Sequence, residues 1–411
     1  MPAPGSICIK DYDYNLPGEQ IAQFPLDERD SSKLLVYKQN EVIDDHFSNI
    51  GQYLPANSLL VFNDTRVIRA RLLFTKHSGA LIEIFCLEPL KPTADIQSAF
   101  HQTGCCTWKC LVGNLKRWKS GTLVLEHVTG NTVNRLFADL NGELGGGCFE
   151  IAFHWEPAEK TFSEILEMSG LMPLPPYINR RANLSDNDRY QTTYATHEGS
   201  VAAPTAGLHF TAPLISKLHQ QGIVTENVTL HVGVGTFRPV AAEQVGDHVM
   251  HHEKIIVSGT TIEGLLRNLH RPMFAVGTTS ARTVESIYWL GVRLIQKGPD
   301  MNDGVPQWYP YGEMTAQDIT PRQSLEALLQ FIDSRGLSEY SGETRLMVVP
   351  GYKYRLLSGL ITNFHMPQST LLLLVAAMIG EEWKNIYNYA VDHGYRFLSY
   401  GDSCLFFNQQ K

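Results

Sequence analysis

The sequence predicts an α/β protein: a mixed α/β, barrel-like main domain with a small antiparallel β-barrel inserted into it. Three observations carry that expectation. Apolar runs at 58–62, 273–276 and 360–362 read as buried strands that end in polar loops, the last two leading into helices. Between about 70 and 153 the texture changes to short β-like runs broken by glycines, with no helical periodicity. Finally, 411 residues at 43% hydrophobic content supply a large core. The expected division is 1–70 plus 154–411 for the main domain, with a peripheral insertion at about 291–345, and 71–153 for the inserted barrel.

Composition narrows the function classes. The longest apolar run, Leu371–Ile379, is about half the roughly 20 residues that a membrane span needs. The N-terminus shows no charged and apolar leader pattern, so a cytoplasmic protein without membrane contact is expected. The seven cysteines are odd in number and unevenly spaced, which fits reduced thiols. His101, Cys105, Cys106 and Cys110 lack the spacing of a zinc finger or ribbon. A net charge of −8 argues against broad nucleic-acid affinity but leaves room for a local basic patch.

Taken in order, 33–37 and 58–62 read as strands, the second running into Asn63-Asp64-Thr65-Arg66. Such a polar strand end presents ligand contacts or, equally, caps its own turn. Lys109, Lys116, Arg117 and Lys119, with Trp108 and Trp118, could meet a folded RNA or form a solvated hairpin. Three prolines stiffen 170–178, and a polar helix-like stretch from Asp186 follows. On one helical face, Tyr190 and Tyr194 would either stack on a base or pack.

The segment 199–211 is small, rigid and apolar, and reads as the lining of a ligand site. Its glycines, including Gly207, allow close backbone approach, and Ser200, Thr205 and His209 are its polar side chains before Thr211 caps a helix. Further on, 228–237 alternates cleanly. His231, between glycines on the open face, reads as a cavity wall or a hydrogen-bonded structural histidine. His248, His251, His252 and Glu253 lack the order of a zincin, and acid/base or orienting roles for His251 and Glu253 are preferred to metal binding. Gly277–Ser280 reads as a tight polar turn before a helix from Ala281 that carries Arg282 in its first turn, a natural carboxylate site. Asn363–Pro367 is a third such loop, and the three would converge at one end of the sheet.

Long motifs in a fixed order then resemble a known family. They include Leu59-Leu-Val-Phe-Asn-Asp-Thr-Arg66, Met172-Pro-Leu-Pro-Pro-Tyr-Ile178, Tyr190–Tyr194, Gly199–Phe210, Thr229–Val240, Val276–Ser280, Ile361–Leu371 and Tyr395–Asp402. Together they are similar to the S-adenosylmethionine:tRNA ribosyltransferase-isomerases of queuosine biosynthesis. That resemblance implies transfer and isomerisation of the ribosyl part of S-adenosylmethionine onto 7-aminomethyl-7-deazaguanine at the tRNA wobble position, giving epoxyqueuosine-tRNA, adenine and methionine. S-adenosylmethionine would be a co-substrate, with no true cofactor and no metal, and the protein a monomer whose partner is the modified tRNA.

Such chemistry needs proton shuttles, for which His209, His231, His251, Glu253 and His365 are the candidates. Thr278, Thr279 and Arg282 are expected at the methionine carboxylate, and the 199–207 loop, with Ser200, Thr205 and Gly207, at adenine or ribose. Asn63, Asp64 and Arg66 would grip ribose or deazaguanine, with further substrate contacts from Tyr190, Tyr194, Gly233, Gly235, Thr236 and Asn363. The competing expectations are a metal-dependent hydrolase built on the 248–253 cluster, and a non-catalytic RNA- or nucleotide-binding paralogue.

Overall fold

A computed structural model describes residues 6–129, 132–233, 242–298, 304–312 and 319–410. In its first half the apolar β1 (Lys33–Lys38) forms a hairpin with the largely polar, unburied β2 (Glu41–His46), and β3 (Leu59–Asn63) follows, buried along its length. After β4 (Thr65–Val67) the chain enters β5 (Arg71–Thr75), β6 (Leu81–Lys91), helix α1 (Ile96–Phe100), β7 (Cys105–Gly113), β8 (Leu123–Thr129), β9 (Thr132–Gly145) and β10 (Cys148–Glu156). Helix α2 (Phe162–Ser169) starts at a capping box in which Thr161 and Glu164 satisfy each other's backbone amides. Then come β11 (Gly170–Leu171), the single turn α3 (Asp186–Arg189), β12 (His197–Ser200), α4 (Ala212–Gln220) and β13 (Val224–His231). The rest is β14 (Glu253–Ser258), α5 (Gly259–Arg267), β15 (Met273–Val276), α6 (Thr278–Lys297), α7 (Pro321–Ser334), β16 (Glu339–Thr344), β17 (Gly359–Asn363), α8 (Thr370–Ile379), α9 (Trp383–Asp392) and β18 (Ser403–Phe407).

Two large sheets result. The nine-stranded one runs β16-β14-β13-β3-β15-β17-β18-β1-β2. Its central strands β13, β3, β15 and β17 are parallel, so their C-terminal ends lie along one edge. Both faces are covered: Leu59 and Val61 point into a core shared with α6 and α8, while Leu60 and Phe62 point into one shared with Phe47, Phe210 and Leu214. Fully apolar strands are what a sheet buried on both sides requires. The seven-stranded sheet, β11-β5-β6-β7-β10-β9-β8, is antiparallel throughout and curls around Trp108, Phe100 and Phe162. Here side chains alternate between the core and solvent, which is why 70–153 shows no helical periodicity.

Two expectations change. Helix α6 begins at Thr278 rather than Ala281, because Gly277, at φ +92°, makes the turn in one residue and Thr278–Ser280 wind into the helix. In the described parts of 291–345, α6 runs on to Lys297, α7 packs on it, and β16 is the sheet's edge strand. Tyr190 and Tyr194 do not share a helical face, since α3 ends at Arg189. No helix among the described residues is long and apolar enough to cross a membrane.

Candidate active site

The parallel strand ends open on a cavity of about 360 Å3. Its walls are Ala202–Ala206 from the small-residue loop, Gly277–Thr279 at the start of α6, Thr362–Pro367 at the end of β17 and beyond it, and Pro176 with Tyr177 from the proline-rich stretch, together with Val232, Ser369 and Leu371. Leu398 and Ser399 close it. Leu398 sits at φ +68°, a strained conformation for a branched residue, and its amide is held by the carbonyl of Phe364 at 3.2 Å. The loop is pinned by Ser200, whose Oγ donates to the Ala202 carbonyl at 2.7 Å and accepts from the Val232 amide at 3.1 Å. A Cβ on Gly207 would lie 1.9 Å from the Tyr194 hydroxyl, so only glycine fits beneath that ring.

Polar groups are few and concentrated. Thr279 Oγ1 and Asn363 Oδ1 are buried and have no partner among the described residues. A native structure rarely leaves such groups unpaired unless something else binds them. The N-terminus of the 20-residue helix α6 opens at Gly277–Thr279, adding amide donors and the positive end of its dipole. His365 lines the same space, its Nε2 2.9 Å from Thr362 Oγ1, while Nδ1 has no partner among the described residues. Burial pushes its pKa down to about 3, so the ring is neutral at pH 7.

His209 stands behind this wall. Its Nδ1 lies 2.8 Å from Ser32 Oγ and its Nε2 3.0 Å from Asn363 Nδ2. The Asn363 amide nitrogen also donates to the Asp402 carbonyl, at 3.3 Å, so Nε2 must be an acceptor and the ring a neutral Nδ1–H tautomer. Burial lowers its pKa to about 4. His209 thus orients Asn363 and turns Oδ1 outward.

The remaining candidates are not gathered in the cavity. Asn63 is consumed by the sheet: its amide bridges the backbone of Leu230 in both directions, at 3.0 Å each. Asp64 accepts from Thr229 Oγ1 at 2.7 Å, and burial raises its pKa. Arg66 is exposed, and Tyr190 is a core residue packed edge-on against Tyr400. His231 lies under Gly199, its Nδ1 3.0 Å from Thr65 Oγ1 and its Nε2 unpartnered among the described residues, with burial lowering its pKa to about 4. Glu253 forms a buried ion pair with Arg282 and has His251 Nε2 at 3.3 Å, so the Arg282 guanidinium is committed to a carboxylate of the protein. Gly233 has open space around it; Gly235 and Thr236 lie outside the described residues. His252 turns away to Glu343, and no group of three or more His, Cys, Asp or Glu is arranged for a metal among the described residues. Thr205 and Thr278 do line the cavity.

Sequence reasoning passed over Tyr177, Thr362, Phe364, Leu398 and Ser399, although each falls within or beside a motif that carried the resemblance.

Residues 9–406 match the family model described as "Queuosine biosynthesis protein". The chain belongs to this family. Among curated relatives, the S-adenosylmethionine:tRNA ribosyltransferase-isomerase of Pelobacter propionicus is 37% identical over 404 residues, covering 97% of this chain and 99% of the relative. The protein of the same name from Trichlorobacter lovleyi is 36% identical over 406 residues, again 97% and 99%. A crystal structure of the S-adenosylmethionine tRNA ribosyltransferase of Thermotoga maritima is similar at 28% identity, with a TM-score of 0.45, covering 96% of this chain and 99% of that one. Family membership thus extends over both sheets and every segment that lines the cavity.

Proposed function

We propose that this chain transfers and isomerises the ribosyl moiety of S-adenosylmethionine onto 7-aminomethyl-7-deazaguanine in tRNA, releasing adenine and methionine. One observation carries the reading: an apolar cavity holds the mouth of a long helix and two orphaned polar atoms, on Thr279 and Asn363. A nucleoside joined to an amino acid needs that combination, an apolar slot for the purine and amide donors for the carboxylate. The α6 mouth, with Thr278 and Thr279, takes the methionine carboxylate. Ala202–Ala206 and Tyr177 enclose the nucleoside.

The sulfonium acidifies the adjacent 5′ carbon. Loss of a proton there opens the ribose with departure of adenine, the substrate amine adds, and epoxide closure expels methionine. His365, neutral and cavity-lining, is the base favoured by its position, with His209 holding Asn363 in place. The arrangement gives no support to a metal-dependent hydrolase, since His251 and His252 serve separate carboxylates. The two sheets with separate cores support a main α/β unit and an inserted antiparallel unit; the second sheet takes in β11 and its core takes in Phe162, Ile165 and Leu166, beyond the 71–153 bounds. A tRNA substrate supports a cytoplasmic site of action.

The test is isotopic. With donor labelled in the ribose, label should enter modified tRNA; with donor labelled in the methyl group, none should. Transfer of the methyl label would overturn the reading.

A further inference from the structure

Beside the main cavity, and sharing Ser399 with it, lies an open crevice lined by Arg29, Arg189 and Arg396. In a chain of net charge −8, three guanidiniums at one opening demand a reason. Arg396 reaches Asp402 at 3.4 Å. Arg29 and Arg189 have no ion-pair partner among the described residues; their hydrogen bonds go to backbone carbonyls, of Leu208 and Asp188 for Arg29 and of Asp27 and Leu26 for Arg189. Nε of Arg189 is buried without a partner among the described residues. Burial, and after it the like charge of Arg189, push the pKa of Arg29 down. Glu28 is the acidic residue lining the crevice, and it is exposed.

A second observation lies on the same segment. Phe24 is 57% exposed, an unusual state for a phenylalanine, and its face carries the Arg180 guanidinium at 4.2 Å. The Phe24 carbonyl accepts from Arg396 at 3.5 Å, and Arg180 Nε donates to the Gln23 carbonyl at 2.8 Å. Arg180 is itself paired with Asp186 at 2.7 Å, and Phe24 adjoins Pro25, which lines the crevice. An exposed ring next to a crevice lined by arginines has the make-up of a single-stranded RNA site, in which bases stack on aromatic rings and phosphates meet guanidiniums.

We propose that the 24–29 segment with Arg189 and Arg396 forms the RNA contact that delivers the acceptor nucleotide, Phe24 stacking an unpaired neighbouring base and Arg29 with Arg189 holding a backbone phosphate. This rests on the tRNA-modifying function argued above. A polynucleotide that inserts one base into the cavity must leave its flanking phosphates at the rim, and Ser399 joins the two spaces. The shared chemistry is phosphate, from an RNA backbone or from a free phosphate ion, and the proposal commits to the backbone.

The experiment uses the full chain, tRNA carrying 7-aminomethyl-7-deazaguanine and its anticodon stem-loop, with Phe24→Ala and the double variant Arg29→Gln/Arg189→Gln. Binding is measured across salt concentrations, and S-adenosylmethionine affinity and thermal unfolding are measured alongside. Phe24→Ala should weaken RNA binding by about 5- to 150-fold, the loss of one stacked base. The double variant should weaken it and reduce the magnitude of the salt slope by about 0.7 for each phosphate no longer neutralised. Both should bind S-adenosylmethionine as the parent does. Folded variants with unchanged RNA affinity and salt slope would overturn the proposal, as would inorganic phosphate protecting the parent from unfolding while RNA binding ignores the substitutions. If the parent itself neither binds tRNA nor transfers ribose, the functional reading fails instead, a separate outcome.

Discussion

Acidification should destabilise this protein through His209, His231 and His365, and the size of the effect follows from their burial. Burial lowers the pKa values to about 4, about 4 and about 3, against roughly 6.5 in an unfolded chain. The folded state therefore binds fewer protons than the unfolded one wherever the pH lies between those values. Stability is complete above about pH 7 and is lost as pH falls, the loss ending once the folded rings themselves protonate. At pH 5 the unfolded chain holds nearly three extra protons, which makes the slope about 4 kcal/mol per pH unit. Between pH 7 and pH 5 the loss sums to about 6 kcal/mol, comparable with the whole stability of many domains. Asp64 and Glu226, whose pKa values burial raises, oppose this trend, chiefly nearer their own titration range below pH 5. Urea unfolding at half-unit pH steps measures the slope, and His209→Gln should reduce it by about 1.3 kcal/mol per pH unit. A parent slope under about 1 kcal/mol per unit, or an unchanged slope in the variant, would refute the reasoning.

Other substitutions separate folding from function. Thr279→Val removes an orphaned hydroxyl at constant shape, so stability should hold or rise by about 1 kcal/mol while KM for S-adenosylmethionine rises about tenfold; an unchanged KM would remove Thr279 from the donor site. Gly207→Ala drives a methyl group into the Tyr194 hydroxyl, costing about 1–3 kcal/mol in urea unfolding, and adding Tyr194→Phe should recover part of it. Glu253→Gln leaves the Arg282 guanidinium buried without its carboxylate and should cost about 3–5 kcal/mol, with the double variant Glu253→Gln/Arg282→Met milder than the single.

What the sequence reveals, and what it hides, follows from distance along the chain. The alternation of 228–232 is a local signal, and the structure divides it accordingly: Val228, Leu230 and Val232 in the core, His231 on the opposite face. The convergence of the loops at 277–279 and 362–367 is legible for the same reason, since each follows a short apolar strand. The fate of individual polar side chains is not. Asn63 looks like a ligand contact until Leu230, 167 positions away, takes both ends of its amide. His209 looks like a catalyst until Ser32 and Asn363 occupy its two nitrogens. Arg282, which a helix start at Ala281 would put in the first turn and which lies one turn into α6, looks like a carboxylate receptor, and it is one, for Glu253 on a neighbouring strand. Partners of this kind depend on sheet register, which no local pattern encodes.

The central claim is that the cavity at the strand ends cleaves S-adenosylmethionine at its glycosidic bond and moves the ribosyl unit. Adenine release should be followed with 7-aminomethyl-7-deazaguanine tRNA present and absent, and the tRNA nucleosides weighed afterwards. The account predicts adenine and methionine in equal amounts, matched by an epoxyqueuosine mass in the tRNA, and a loss of release in His365→Gln. Folded protein that leaves S-adenosylmethionine intact with the modified tRNA, or that alters the tRNA by the mass of a methyl group, would contradict it.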